Sequence, residues 1–205
     1  MKKLTILIVL ITLFNNNLYS QVKWGLLAGT NLSNITMSQN NSSIFSETKS
    51  RVSFRIGICN DIPLSDAFSL NTGIVYSVKG YLTEIDYSLI GLPTLGKIEA
   101  NTSFRYFDIP LDFSYKISDL LSISTGPYLG LFVGGKTTTN GDSQTIGADD
   151  LSTTDFGLSF GAKFSLTEVF SISTGYQLGI TDISEGSEIY NKSILLAIEY
   201  TFNKY

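Results

Sequence analysis

Leu64-Ser65-Asp66-Ala67-Phe68-Ser69-Leu70-Asn71-Thr72-Gly73 decides how this chain folds, because its recipe occurs three times. It returns as Ile117-Ser118-Asp119-Leu120-Leu121-Ser122-Ile123-Ser124-Thr125-Gly126 and as Leu166-Thr167-Glu168-Val169-Phe170-Ser171-Ile172-Ser173-Thr174-Gly175. The spacings are 53 and 49 residues. Each copy joins an apolar residue to an alternating stretch through a Ser or Thr, an acid and one further residue. Pairing Leu64 with Phe68, Ile117 with Leu121 and Leu166 with Phe170 leaves a three-residue loop each time. It also keeps the apolar side chains of both flanking strands on one face, as a two-residue period demands. Three copies of one turn predict three equivalent tight hairpins.

Working outward from these turns, the alternation continues. Ile194, Leu196, Ile198, Tyr200 and Phe202 alternate with Ser193, Leu195, Ala197, Glu199 and Thr201. Phe156, Leu158, Phe160, Ala162 and Phe164 alternate with Gly157, Ser159, Gly161, Lys163 and Ser165. Such segments read as strands with one apolar face and one small or polar face. Eight are expected, over 22–32, 52–62, 68–82, 104–117, 121–136, 156–166, 170–181 and 191–202. Short turns join the second to the third, the fourth to the fifth and the sixth to the seventh. Long polar connections fall near 33–51, 83–103, 137–155 and 182–190. A meander of this kind puts every long loop at one end, as outer-membrane barrels do. The fold class expected is all-β: an eight-stranded antiparallel up-and-down transmembrane β-barrel.

Composition decides which face points outward. Only 16% of the 205 residues are charged, against roughly 25% in soluble domains. The less apolar face carries mainly Gly, Ser, Asn and Thr, which suits a lumen better than a water-solubilising coat. The apolar face carries aromatics at two heights. Trp24, Phe68, Tyr115, Phe164, Phe170, Tyr200 and Phe202 lie near the turns; Phe54, Tyr76, Phe107, Phe156 and Tyr176 lie toward the long loops. Two such levels match interfacial girdles. The strand charges then face inward: Lys23, Arg55, Lys79, Lys116 and Lys163 with Asp61, Asp108, Asp112 and Glu199. On the lipid side each Lys or Arg would cost about 2–4 kcal/mol at the midplane. A lumen charge network of Lys23, Arg55, Lys79, Asp108, Asp112, Lys163 and Glu199 is expected. Its upper layer is Arg55, Lys79 and Asp108, and its lower layer is Lys163, Glu199 and Lys23. Such a network is either a satisfied plug or a path for protons or small ions. Pro110 and Pro127, inside the fourth and fifth strands, predict a bulge or seam between them. Gly73, Gly126 and Gly175 are expected at one height, making room for larger side chains such as Tyr128.

The chain begins with Lys2, Lys3 and an apolar run from Leu4 to Phe14, then a polar stretch ending Leu18-Tyr19-Ser20. This is the pattern of a signal peptide over 1–20, cleaved before Gln21, and the run is too short for a spanning helix. Residues 21–205 are then the barrel domain. Without Lys2 and Lys3 there remain 12 basic and 18 acidic residues, a balance that argues against a nucleic-acid partner. The chain has no histidine and one cysteine. Histidine-dependent triads and metal sites are excluded, as is an internal disulfide. No catalytic, cofactor or metal residues are expected, and Cys59 reads as an inert inward residue. The acids Asp142, Asp149, Asp150, Asp155, Asp182, Glu185 and Glu188 read as solvated loop charge.

Asp61-Ile62-Pro63-Leu64-Ser65-Asp66-Ala67-Phe68-Ser69-Leu70 and Tyr76-Ser77-Val78-Lys79-Gly80 resemble the outer-membrane β-barrel domain of Bacteroidota PorT-family proteins. So do Tyr106-Phe107-Asp108-Ile109-Pro110-Leu111, Gly126-Pro127-Tyr128 and the closing Glu199-Tyr200-Thr201-Phe202. The resemblance covers essentially all of the chain after the leader, and its motifs mark strands and turns. It implies an eight-stranded barrel in the cell outer membrane. The founding member of that family is tied to type IX protein secretion and gliding. One departure is the tail Asn203-Lys204-Tyr205 beyond Phe202, where barrel-assembly signals often end on the aromatic. The function expected is an integral outer-membrane protein of structural or interaction type, not an enzyme. Its partners are membrane lipid and proteins reached through the long loops. Two alternatives stand beside it: a channel or secretion-apparatus component, and a soluble secreted barrel holding an apolar ligand.

Overall fold

The computed structural model describes residues 22–37, 45–86, 97–147, 151–184 and 188–202. The leader at 1–20 and the tail at 203–205 lie outside the described residues. The strands are β1 (Lys23–Met37), β2 (Phe45–Pro63), β3 (Phe68–Asp86), β4 (Lys97–Lys116), β5 (Leu121–Thr139), β6 (Asp142–Ile146), β7 (Thr154–Ser165), β8 (Phe170–Gly179) and β9 (Ile189–Thr201). All pair antiparallel in the order β4-β3-β2-β1-β9-β8-β7-β5-β6, and a further β4–β5 pairing closes the sheet into a ring.

The expected eight strands are therefore nine among the described residues. The extra one, β6, falls in the third long connection and pairs with β5 alone, from Gly135↔Ile146 to Thr139↔Asp142. Several other strands overrun their expected ends toward the long loops: β1 reaches Met37, β3 reaches Asp86 and β4 begins at Lys97. These extensions are rich in Thr, Ser, Asn and charged residues on both faces. A ladder can continue there through backbone hydrogen bonds, but without an apolar face it leaves no alternation to read.

The three turns form as one device. Leu64 N–H and Ser65 N–H donate to the Phe68 carbonyl at 2.8 and 3.0 Å. Ile117 and Ser118 do the same to Leu121 (2.9 and 3.1 Å), and Leu166 and Thr167 to Phe170 (2.9 and 3.1 Å). The hydroxyl at the second position closes each loop. Ser65 Oγ accepts from Phe68 N–H at 3.1 Å, Ser118 Oγ from Leu121 N–H at 3.2 Å and Thr167 Oγ1 from Phe170 N–H at 2.9 Å. This explains why the recipe keeps Ser or Thr there. The fourth residue then ties each hairpin to the next, through Lys116 N–H to Ala67 O, Ser165 N–H to Leu120 O and Thr201 N–H to Val169 O at 2.8, 2.9 and 2.8 Å.

Pro110 faces Tyr128, as the turn register requires, and pairing resumes at Phe113↔Thr125 in the same register. Leu111 and Asp112 have no partners in this ladder, because Pro127 has no N–H to give. The seam is thus an interruption without a shift. The one-residue bulge lies higher, where Arg105 pairs with Gly134 and Tyr106 with Phe132, leaving Val133 over. The repeat glycines also need correction. A Cβ on Gly73 or Gly126 would sit 2.3 Å from the Ile58 carbonyl or 2.0 Å from the Leu111 carbonyl, so these glycines let neighbouring backbones close up. The Tyr128 ring lies over Gly157 instead, where a Cβ would be 2.6 Å from Cε1.

Candidate functional site

The ring is inside-out. Ile56, Ile74, Ile123, Phe160, Leu196 and Ile198 are all about half exposed on its outer face. Asn31, Ser33, Ser77, Lys79 and Asp108 are almost wholly buried inside. The outer aromatics meet in cross-strand pairs at the two heights. Phe68 and Tyr115 lie 5.1 Å apart and Phe170 and Tyr200 5.2 Å near the turns; Phe54–Tyr76 (5.9 Å) and Tyr76–Phe107 (5.7 Å) lie toward the loops. Phe68 and Tyr76 are eight residues apart on β3, about 27 Å along the strand. At a tilt of roughly 40° the two levels are about 20 Å apart, close to the ~25 Å apolar band of an outer-membrane barrel.

Lys79 of β3 organises the upper interior. Its Nζ lies 3.0 Å from Asp108 Oδ1 on β4 and 3.0 Å from Asp155 Oδ2 on β7, and all three side chains are buried. The ammonium stands 4.5 Å from the Tyr128 ring centre and 5.1 Å from that of Tyr106. Tyr128 OH donates to Asp155 Oδ1 at 3.2 Å, and Asn191 Nδ2 donates to Asp155 Oδ2 at 3.1 Å and to Tyr106 OH at 3.5 Å. The three charges are ion-paired, which is the condition for burying them, while Asp108 Oδ2 and Asn191 Oδ1 find no hydrogen-bond partner among the described residues. Asp155, expected among the solvated loop acids, is instead buried in this layer. Phe156 faces outward, so the period of two places Asp155 inside, and that signal was available in the sequence.

Above this layer Ile35, Phe104, Tyr106 and Ile183 form a buried apolar cluster, packed by Tyr81, Phe132, Ile146, Leu151 and Ile189. This apolar plug at the loop end was not foreseen. Phe104 and Tyr106 share the inward phase of Asp108, whereas Ile183 comes from a connection with no alternation. Asp182 there is a turn acceptor, taking Glu188 N–H at 2.9 Å and Ile189 N–H at 3.0 Å. Asp142 is exposed; Asp149, Asp150 and Glu185 lie outside the described residues.

Below it the interior opens into a polar cavity of about 200 Å³ that reaches the β7–β8 turn at Thr167 to Val169. Lys163 Nζ bonds Glu199 Oε2 at 2.8 Å, and Asp112 accepts the Ser159 hydroxyl. Arg55 is buried in the fields of Asp108, Glu199 and Asp112 and bridges the two expected layers. Its Nε, with Asp61 Oδ1, Asn71 Oδ1 and Gln177 Oε1, finds no protein partner, and all four residues line the cavity. Lys23 lines the mouth of the same cavity as Lys163 and Glu199. It is exposed at the rim, on the first rung of β1, opposite Asp61. Lys116 is likewise exposed and bonds Asp119 across its own turn at 2.7 Å. Cys59 is half-buried beside Leu27, Val75 and Ala197.

A ring-closed antiparallel sheet with apolar residues outside and charges within defines a protein of the outer-membrane class. The sequence matches the family described as outer membrane protein beta-barrel domain over residues 14–185, and the chain belongs to that family. Among solved structures it is similar to Neisserial surface protein A, with 11% identity, 87% of this chain and 97% of that chain covered, and a TM-score of 0.50. It is also similar to Ail, the attachment invasion locus protein of Yersinia pestis, with 12% identity, 88% and 98% covered, and a TM-score of 0.49. At such identities the likeness concerns fold alone. No curated protein matches the chain.

Proposed function

We propose that this protein is an integral outer-membrane barrel of structural or interaction type, exported by residues 1–20 and related to the PorT-like barrels. Its membrane wall is the eight-strand ring of β1–β5 and β7–β9, and β6 extends the wall at the loop end. The long connections face outward from the cell and meet protein partners; the outer face meets lipid. One observation carries the reading: the side chains costly in lipid are inside the ring, and the large apolar ones are outside. A soluble ligand-carrying barrel needs the reverse.

The interior reads as a dead end. The polar cavity stops at the Lys79 layer, and the apolar cluster of Ile35, Phe104 and Ile183 caps that layer. On this reading the protein is a structural element rather than an enzyme, its interior charges committed to one another as in Lys79 with Asp108 and Asp155 and in Lys163 with Glu199. The test is gel mobility of the protein from isolated outer membranes. A closed barrel resists SDS until boiled, so unboiled and boiled samples separate; soluble protein with a single mobility would sink the reading. Planar-bilayer recording tests the dead end: no unitary conductance is expected, and stable open steps would favour the channel alternative.

A further inference from the structure

Just above the upper aromatic girdle the outer face carries basic groups that take no part in the ion pairs of the interior. Arg105 on β4 is exposed, two residues above Phe107. Its Nε leans on the Gly134 carbonyl at 3.4 Å, and a Cβ on Gly134 would strike the guanidinium at 2.6 Å. Lys136 on β5 is exposed and pairs in register with Ser103. Arg51 crosses from β2 to give its Nε to Asn101 Oδ1 on β4 at 2.8 Å. Ser103 therefore has Arg105 two residues below it, Asn101 with the Arg51 guanidinium two residues above, and Lys136 beside it. These steps are about 6.6 Å along a strand and about 4.8 Å between strands. No outward position of β3, β4 or β5 between the girdle and Asn101 is acidic. The first carboxylates above are Glu84 and Glu99, which face one another across β3 and β4, and Glu84 bonds Lys49 at 3.4 Å.

We propose that Arg51, Arg105 and Lys136 form a cradle around Ser103 for the phosphate of an anionic lipid in the leaflet on the long-loop side. The inference rests on the membrane reading above. The girdle sets the boundary between acyl chains and headgroups, so groups one to two rungs higher lie at phosphate depth. The Arg105 guanidinium supplies a forked donor that suits phosphate oxygens, and Lys136 and the half-buried Arg51, whose Nε is held by Asn101 and whose Nη1 is buried, add positive charge. The missing Gly134 side chain lets Arg105 lie flat against the wall, leaving its outer edge to a ligand. A lipid occupies such a site because its chains lie along Phe107 and Leu131 directly below, both exposed.

The experiment counts lipid bound to detergent-purified protein by native mass spectrometry. Dioleoyl phosphatidic acid and dioleoyl phosphatidylcholine serve as probes, and the heat-dependent gel shift is recorded for every sample. Wild type should retain phosphatidic acid over phosphatidylcholine, and excess inorganic phosphate should not displace it. Each charge removed, in Arg105→Gln and Lys136→Gln, should weaken phosphatidic acid binding about fivefold. Lys192→Gln, outward on β9 away from the cradle, should leave it unchanged. Equal retention of the two lipids by wild type, an unaltered double variant, or displacement by inorganic phosphate would overturn the proposal. The wild-type comparison holds even if a variant does not fold, and loss of the gel shift in wild type would instead overturn the barrel reading.

Discussion

Around Lys79 the interior gathers two carboxylates, two phenol rings and an amide, all buried, under an apolar cap. Around Lys163 the same chemistry, a lysine on a carboxylate, borders a polar cavity of about 200 Å³. The side chain of Lys79 is 1% exposed and that of Lys163 26%. A polar space of that size holds water, so the lower pair has an alternative partner that the upper one lacks. The difference teaches that one interior can be two solvents, and that identical ion pairs have different energetic weight at its two ends.

The largest effect should come from Lys79→Met. It strands Asp108 and Asp155 in a dry layer, and removing one partner of a buried ion pair costs about 3–5 kcal/mol. Lys163→Met leaves Glu199 beside the cavity, where water replaces the ammonium, and should cost about 1 kcal/mol or less. Urea unfolding in lipid vesicles, followed by Trp24, the single tryptophan, measures both. Equal losses would abolish the contrast between the ends. Adding Asp155→Asn to Lys79→Met should recover part of the loss, which sharpens the assignment to uncompensated charge.

Two inward glycines on β7 extend the comparison from charge to packing. At Gly157 a Cβ would meet the Leu178 carbonyl at 2.2 Å and Tyr128 Cε1 at 2.6 Å; at Gly161 it would meet Ser124 Oγ at 3.1 Å and the Thr174 carbonyl at 3.2 Å. Gly157→Ala should therefore cost about 2–3 kcal/mol by overpacking. Gly161→Ala, beside the cavity, needs shifts of only tenths of an ångström and should cost under about 1 kcal/mol. The same unfolding assay decides, and a Gly161→Ala loss as large as that at Gly157 would mean the lower half is packed as tightly as the upper.

How far these halves could be read from the sequence follows from what each is made of. The turn end was legible because one recipe specifies it three times, and Leu64↔Phe68 fixes the phase of everything above it. Inward Lys79, Asp108, Lys163 and Glu199 follow from that phase. Lys23 and Lys116 share it yet stand in solvent, because phase does not say that a strand has reached its rim. The loop end was poorly legible. The bulge at Arg105–Tyr106 shifts the register of β4 against β5, β6 carries no apolar face, and Ile183 reaches the plug from a connection without period. Asp155 was hidden by standing one residue outside its expected strand. The pattern of two reports burial only where one face is apolar, and the upper layer is held by polar contacts across the ring.

At the turn tips, the serine hydroxyls set a scale between packing and surface charge. Ser118→Ala removes the acceptor for Leu120 N–H (3.3 Å) and Leu121 N–H (3.2 Å), a loss of about 0.5–1.5 kcal/mol. Thr167→Val removes the equivalent contacts to Val169 and Phe170 N–H (3.3 and 2.9 Å) and should match it. Unfolding midpoints of the two variants should agree; a neutral Ser118→Ala beside a damaging Thr167→Val would mean the turns are not one device.

The smallest effect belongs to the shortest ion pair considered. Lys116 Nζ lies 2.7 Å from Asp119 Oδ1, closer than Lys79 lies to either of its carboxylates, but Asp119 is 94% exposed. A hydrogen bond from Lys116, and then its charge, hold the Asp119 carboxyl below its usual range. A carboxyl lowered on folding contributes stability above its unfolded pKa, and the contribution fades as pH falls through the folded value. In open water that contribution is screened, so Lys116→Gln should leave the unfolding midpoint unchanged. Carbon-13 NMR titration should still find the Asp119 midpoint below that of an ordinary aspartate, rising in Lys116→Gln and in high salt. If Lys116→Gln instead destabilised the protein as much as Lys163→Met, exposure would not rank these pairs, and the energetic contrast between the ends of the ring would rest on something other than access to water.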